Sequence, residues 1–155
     1  ANTGLPTGKA PLSEGFAVFR EFLQIKPDLH VAGQVRNGTT KGIDENALAA
    51  YNAPFPSEDH KQGVRQFPNL VPGTPRTPSA EPNKEAWKIL REWNKPFLCA
   101  FSDKDPIFAG VENSFYKLVP GCEGMPHVTI EDAGHFLQED QPDACVEAIL
   151  SIKDI

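Results

Sequence analysis

The stretch "PNLVPGTPRTPSAEP", residues 68–82, constrains the fold of this 155-residue chain more than any other, because five of its fifteen residues are proline. Each proline fixes φ and removes a backbone donor, so neither a helix nor a central strand runs through the stretch. The chain is therefore expected to form two parts joined by an extended connector.

Before the connector the pattern is helical. Ser13 can cap a helix on which Phe16, Phe19, Phe22 and Leu23 share one face, and Pro27 stops it. A second short helix is expected after Asp28, ending at Asn37-Gly38, where glycine accepts the left-handed backbone that closes a helix. Asp44 opens a third, running through Ala50 to the breaker "NAPFP". Ser57 caps a fourth, to about Gln66 and ahead of Pro68. After the connector the pattern alternates: a helix near Asn83 to Trp93, a strand at "PFLCAF", a helix near Gly110 to Leu118, a strand at "HVTIED", and a final helix near Pro142 to Ile152. Strands separated by helices of this length indicate crossovers in a parallel sheet. Two strands alone make no stable sheet. The chain also opens on Ala1 and holds one methionine, Met125. The expectation is that residues are missing upstream of "ANTGLPTG".

A net charge of −6, with no compensating basic run, argues against nucleic acid or an anionic membrane surface as the main partner. Cys99, Cys122 and Cys145 are odd in number and widely spaced, which suggests neither a disulfide framework nor a zinc site and fits a reducing, cytoplasmic compartment. His30, His60 and His127 have no metal-like spacing. Neither a metal nor a cofactor is expected.

The chemistry concentrates after the two strands. "PFLCAF" runs into "SDKDPIF", which sets Asp103 and Asp105 in the loop beyond a strand end, and "HVTIED" runs into "AGHF", which sets His135 at the equivalent level. Sites in open α/β sheets assemble at that edge. A carboxylate bonded to one imidazole nitrogen fixes the tautomer and leaves the other nitrogen free to take a proton. The blander readings are that His135 caps the next helix or packs in the sheet, and that the two aspartates are solvated or capping acids. A nucleophile is not evident: no G-x-S-x-G elbow occurs, Ser102 sits beside the acids, and Cys99 falls inside an apolar run.

Four stretches carry a resemblance. "AYNAPFPSEDHKQGVRQFPNLVPGTP", with "NTGLPTG" before it and "AFSDKDPIFAG" and "DAGHFLQED" after it, resembles the carboxyl-terminal half of a haloalkane dehalogenase of the α/β-hydrolase superfamily. The resemblance implies a mostly parallel eight-stranded sheet with helices on both faces and a helical cap inserted after the sixth strand. Residues 1–11 would then be the exit loop from a core strand, 12–78 the cap, and 79–155 the last part of the core.

In that family an aspartate attacks the carbon bearing the halogen, and a histidine then activates water to hydrolyse the alkyl-enzyme ester. By resemblance His135 is that base and Asp105 the acid that orients it. Asn2 stands where some relatives place the acid, and it carries no charge. The implied pocket lining is Phe16, Phe19, Phe67, Pro68, Val71, Ile107 and Phe136, although aromatics on short helices also serve simply as core. The nucleophile would come from an amino-terminal companion, without which the chain is expected to be inactive. The expected partners are thus that companion, a small apolar halogenated substrate and water. Phe19 matches a position where many relatives offer an indole N–H to the leaving halide, and phenylalanine has no such donor. Two alternatives follow: an epoxide hydrolase using the cap tyrosine Tyr51, or a non-catalytic binding or dimerisation fragment.

Overall fold

The computed structural model describes residues 1–152; the last three positions of the expected 79–155 part lie outside the described residues. Contacts divide the chain into two units, one of Leu5–Asn37 and Ile43–Glu85, the other of Ala1–Gly4, Gly38–Gly42 and the chain from Ala86 onward.

The first of these units is helical, as the pattern before the connector indicates. Helix α1, Glu14–Ile25, begins where the Ser13 hydroxyl accepts from the Phe16 N–H at 3.3 Å. It buries Leu23, and its final carbonyls are covered by Arg65, whose guanidinium donates to the Leu23 and Lys26 oxygens and pairs with Glu58 at 2.6 Å. Asp28 takes up a left-handed turn after Pro27, with φ 49°. Helix α2, Val31–Asn37, therefore starts later than expected, and the His30 ring accepts from the Gly33 N–H at 3.0 Å in the capping position. Helix α3, Glu45–Asn52, is capped by Asp44 as expected and packs on α2; the two helices bury Val31, Ala32, Val35 and Leu48.

The single helix expected from Ser57 is instead a 3-10 turn, Glu58–Lys61, followed by α4, Gln62–Gln66, and a second 3-10 turn, Phe67–Leu70. The Ser57 hydroxyl meets the His60 ring at 2.9 Å rather than a backbone donor. Pro68 does not halt the chain here, because it sits in the first turn of the second 3-10 segment, where its missing N–H would find no helical partner anyway.

The second unit holds the sheet. Helix α5, Ala80–Leu90, starts three residues before Asn83 and carries Pro82 in its first turn, again where a proline is tolerated. Strand β1, Ala100–Ser102, pairs in parallel with β2, Val128–Ile130, in the register Ala100↔Val128, Phe101↔Thr129 and Ser102↔Ile130. Between them runs the crossover helix α6, Glu112–Leu118, and a 3-10 turn, Pro120–Cys122. Helices α7, Leu137–Asp140, and α8, Pro142–Ser151, follow β2.

Both strands are shorter than their apolar runs. Pro96 has no N–H to pair, the Phe97 N–H goes to the Gly121 carbonyl at 2.9 Å, and the Cys99 N–H is taken by the His127 Nδ1 at 3.1 Å. His127 also donates from Nε2 to the Cys122 carbonyl at 3.0 Å. An imidazole thus replaces ladder bonds, and pairing is left to three residues per strand.

The crossover is tied back onto the sheet by aromatic packing. The Phe115 ring stacks on Trp87 at 5.5 Å and on Phe97 at 5.6 Å, and it shares a buried cluster with Cys99, Phe101, Val119 and Cys122. Trp87 thus packs α5 against the crossover, whereas Trp93 is 37% exposed and contributes its carbonyl, which accepts from the Gly121 N–H at 2.7 Å. A side chain at Gly121 would collide with the Lys95 carbonyl. Among the described residues no helix is long and apolar enough to cross a membrane.

Overpacking at such a contact costs about 1–3 kcal/mol. Gly121→Ala is accordingly expected to lower the unfolding free energy by about that amount. Gly63→Ala, in open space on α4, should be neutral or stabilising by up to about 1 kcal/mol. Denaturant titration of both variants checks the contrast.

Candidate active site

Beyond the last paired residues, Ser102 and Ile130, the two loops continue to hold each other. The Asp103 N–H donates to the Ile130 carbonyl at 3.2 Å, and the Lys104 N–H to the Ala133 carbonyl at 3.0 Å. In return the Asp103 carboxylate accepts from the Ala133 N–H at 3.2 Å, and Lys104 pairs with Asp132 at 2.5 Å. Asp132 takes a left-handed conformation, φ 55°, that turns the chain out of β2, a conformation aspartate tolerates better than most side chains. This zipper fixes the offset between the next residues on each loop, Asp105 and His135.

Those two side chains meet: the His135 Nδ1 lies 3.0 Å from the Asp105 Oδ2. The other carboxylate oxygen accepts from the Ile107 N–H at 2.8 Å. Asp105 is only 2% exposed. Burial by itself pushes its carboxyl up, but the hydrogen bonds from His135 and the Ile107 backbone outweigh it and hold the group below the ordinary carboxylate range. An ionised Asp105 requires the proton on Nδ1, which leaves Nε2 as the acceptor. The imidazole is partly exposed and is clamped by two rings, Phe108 stacked at 5.7 Å and Phe136 edge-on at 4.9 Å. Asp103, the other acid of the loop, is spent on the zipper. In such a pair the carboxylate fixes the imidazole tautomer and leaves the other nitrogen free to accept a proton.

The backbone around His135 is held by Asn2 and Ser102, a structural role that the sequence did not indicate for either. The Asn2 amide donates to the Ser102 hydroxyl at 2.7 Å, the Gly134 carbonyl at 3.0 Å and the His135 carbonyl at 3.1 Å, and its oxygen accepts from the Ser102 N–H at 2.9 Å. The Ser102 hydroxyl in turn donates to the Gly134 carbonyl at 2.7 Å. Ser102 is thus a buried strut, and its hydroxyl is not free to attack. Cys99 is buried too, and burial pushes its thiol up to about 12, far from a reactive thiolate.

The remaining expected site residues fall in both units. Ile107 and Phe136 accompany Asp105 and His135, Ile107 with 38% of its surface exposed. Phe16 and Phe19 stand one turn apart on α1, with ring centroids 6.4 Å apart. Phe67 and Pro68 form the start of the second 3-10 turn, with Val71 at its end, and Phe67 is 75% exposed. Among the described residues no cluster of His, Cys, Asp and Glu could hold a metal ion.

A buried acid and a histidine joined at the carboxyl ends of neighbouring parallel strands, with a helical crossover between them, define part of an α/β-hydrolase fold. Solved structures bear this out. A haloalkane dehalogenase from Paraglaciecola agarilytica superposes with a TM-score of 0.86 over 99% of this chain and 51% of that one, at 28% identity. The haloalkane dehalogenase DbeA from Bradyrhizobium elkani, at 20% identity, shares the fold with a TM-score of 0.71 over 94% of this chain and 57% of that one.

Sequence carries the assignment further. The chain is 49% identical over 140 residues to a haloalkane dehalogenase of Psychrobacter cryohalolentis, covering 90% of this chain and 46% of that protein, and 38% identical over 151 residues to one of Mycolicibacterium paratuberculosis, covering 97% and 50%. By sequence the chain belongs to the haloalkane dehalogenase family, and it spans about half the length of the curated relatives it matches. No family profile matches it.

The lowered pKa of Asp105 fixes the sign of a pH effect. A carboxyl depressed in the folded state contributes stability that is complete above the unfolded value, about 3.9, and is lost as the pH falls through the folded value. Unfolding free energies measured from about pH 6 to about pH 2 should decline over that acid limb. Asp105→Asn should start lower and decline less steeply.

Proposed function

We propose that the chain is the carboxyl-terminal portion of a haloalkane dehalogenase-like hydrolase. Residues 12–78 would be its cap, with residues 1–11 as the exit from a preceding core strand and 79–155 as the last part of its core. The observation that carries this reading is the 3.0 Å contact between the His135 Nδ1 and the buried Asp105 carboxylate. Membership of the family supports the choice of chemistry.

In the proposed reaction a carboxylate from the amino-terminal companion attacks the carbon that bears the halogen. A carbon–oxygen bond forms as the carbon–halogen bond breaks, and halide leaves with the bonding pair. His135 then takes a proton from water through Nε2 while the water oxygen attacks the ester carbonyl. Collapse of that intermediate expels the alkoxide, which receives the proton from His135 and leaves as an alcohol, and the companion carboxylate is regenerated. Asp105, ionised and buried, holds the ring in the Nδ1–H tautomer and offsets its positive charge when it is protonated. Phe16, Phe19, Phe67, Pro68, Val71, Ile107 and Phe136 would supply apolar lining, which suits displacement at carbon because a poorly hydrated carboxylate is the better nucleophile. Substrate, water and the companion chain are the partners of this reading.

His135→Gln, in the chain assembled with the polypeptide that supplies the nucleophile, tests it. General-base loss should cut steady-state turnover about 10²–10⁴-fold. The first halide should still be released, about one per site, and mass spectrometry should find the alkyl group retained on the companion aspartate. Unchanged turnover, or absence of both halide release and adduct while the unaltered assembly opens epoxides, would refute the dehalogenase mechanism.

A further inference from the structure

Asp140, the last residue of "DAGHFLQED", is a buried carboxylate that the proposed reaction does not use; it is 3% exposed. Its two oxygens accept from three backbone groups: the Gly134 N–H at 2.8 Å, the Thr40 N–H at 2.9 and 3.0 Å, and the Lys41 N–H at 3.0 Å. The Lys41 ammonium donates to the Asp140 carbonyl at 2.7 Å. Burial pushes the carboxyl up, yet the backbone donors prevail and hold it below the ordinary range.

The segment so gathered, residues 38–42, comes from between α2 and α3, about one hundred positions away in sequence. It meets the histidine loop at further points. The Phe136 N–H donates to the Gly38 carbonyl at 3.1 Å, and the Thr40 hydroxyl to the Asp132 carbonyl at 2.9 Å. The backbones approach so closely that a side chain at Gly134 would strike the Gly38 carbonyl, and one at Gly38 would strike the Phe136 ring. Gly38 is therefore needed for its missing side chain. It is not among the glycines with positive φ, contrary to the left-handed closure expected from sequence.

Gly134, the residue before His135, is consequently held at both ends, its N–H donating to Asp140 and its carbonyl accepting from Ser102 and Asn2. We propose that Asp140 is a positioning residue for His135: its carboxylate draws the 40–41 and 134 amides into one cage and thereby holds the imidazole in register with Asp105. A charged acceptor suits this role, since hydrogen bonds to an ionised group are about twice as strong as neutral ones. The inference rests on the proposed role of His135 as base.

Asp140→Asn, in the assembled protein, removes the charge and part of the accepting capacity while preserving shape. A misplacement of about 1 Å in a reacting group can cost about 10²-fold in rate. The expected result is a fall in kcat of about ten- to a hundredfold, KM within about threefold of the unaltered protein, and loss of the low-field proton resonance of the His135 Nδ1–H. A folded variant that keeps both that resonance and kcat within about twofold overturns the proposal, and leaves the dehalogenase reading intact. Should the variant not fold, amide exchange in the unaltered protein decides. Protection of the Gly134, Thr40 and Lys41 amides of about 10²-fold or more over free-peptide rates supports the cage, and free-peptide rates at these positions overturn it. The resonance and the exchange rates are read without substrate, so they test the positioning role even where no halide is released.

Discussion

The joining of two loops beyond the ends of a three-residue ladder is the interaction on which the rest of the structure depends. β1 and β2 alone would be too short to set the relative position of groups that follow them by three and five residues. Continuing the pairing through Asp103, Lys104, Ile130 and Ala133 extends that register to the site. The cost of burying the Asp105 carboxylate is then met by two donors already in place, one from His135 and one from the backbone. The result is a carboxylate–imidazole contact whose geometry the fold itself sets, which is the condition for a base to act without reorganising.

Much of this arrangement can be read along the chain. The switch from helical to alternating patterning at the prolines separates helices α1 to α4 from the sheet-bearing part, and the turn residues after each apolar run place an acid and a histidine at one edge. Cap signals with a single strong acceptor, Ser13 and Asp44, locate α1 and α3 closely. The misjudged boundaries have a common physical origin: local propensity does not reveal long-range competitors for backbone donors. Strand β1 is cut short because His127 and Gly121 take its amides, and α2 begins late because Asp28 accepts a left-handed turn.

The same blindness hid the supports of the site. Asn2, Ser102 and Thr40 carry no charge and no motif of their own, and only proximity across separations of 133, 32 and 92 positions makes them partners of the histidine loop. Asp140 is one of two adjacent acids in the turn Leu137–Asp140, five residues after the histidine, and nothing in the sequence points to its donors at Thr40 and Lys41. Choosing Asp105 over Asp103 likewise needed either the family resemblance or coordinates, because both follow the strand at plausible distances. Fold class and the meeting of an acid with the histidine were legible; the hydrogen-bonded scaffold around them was not.

The state of the sulfur atoms bears on what this chain can tolerate. All three cysteines have thiols raised by burial, Cys99 to about 12, and Cys99 and Cys122 are packed in the aromatic cluster beneath the crossover helix. A thiolate is the softest and most easily alkylated group a protein offers. With Cys99 and Cys122 covered and all three groups held as thiols, the half-buried sulfur of Cys145 offers an alkylating solute little thiolate to react with.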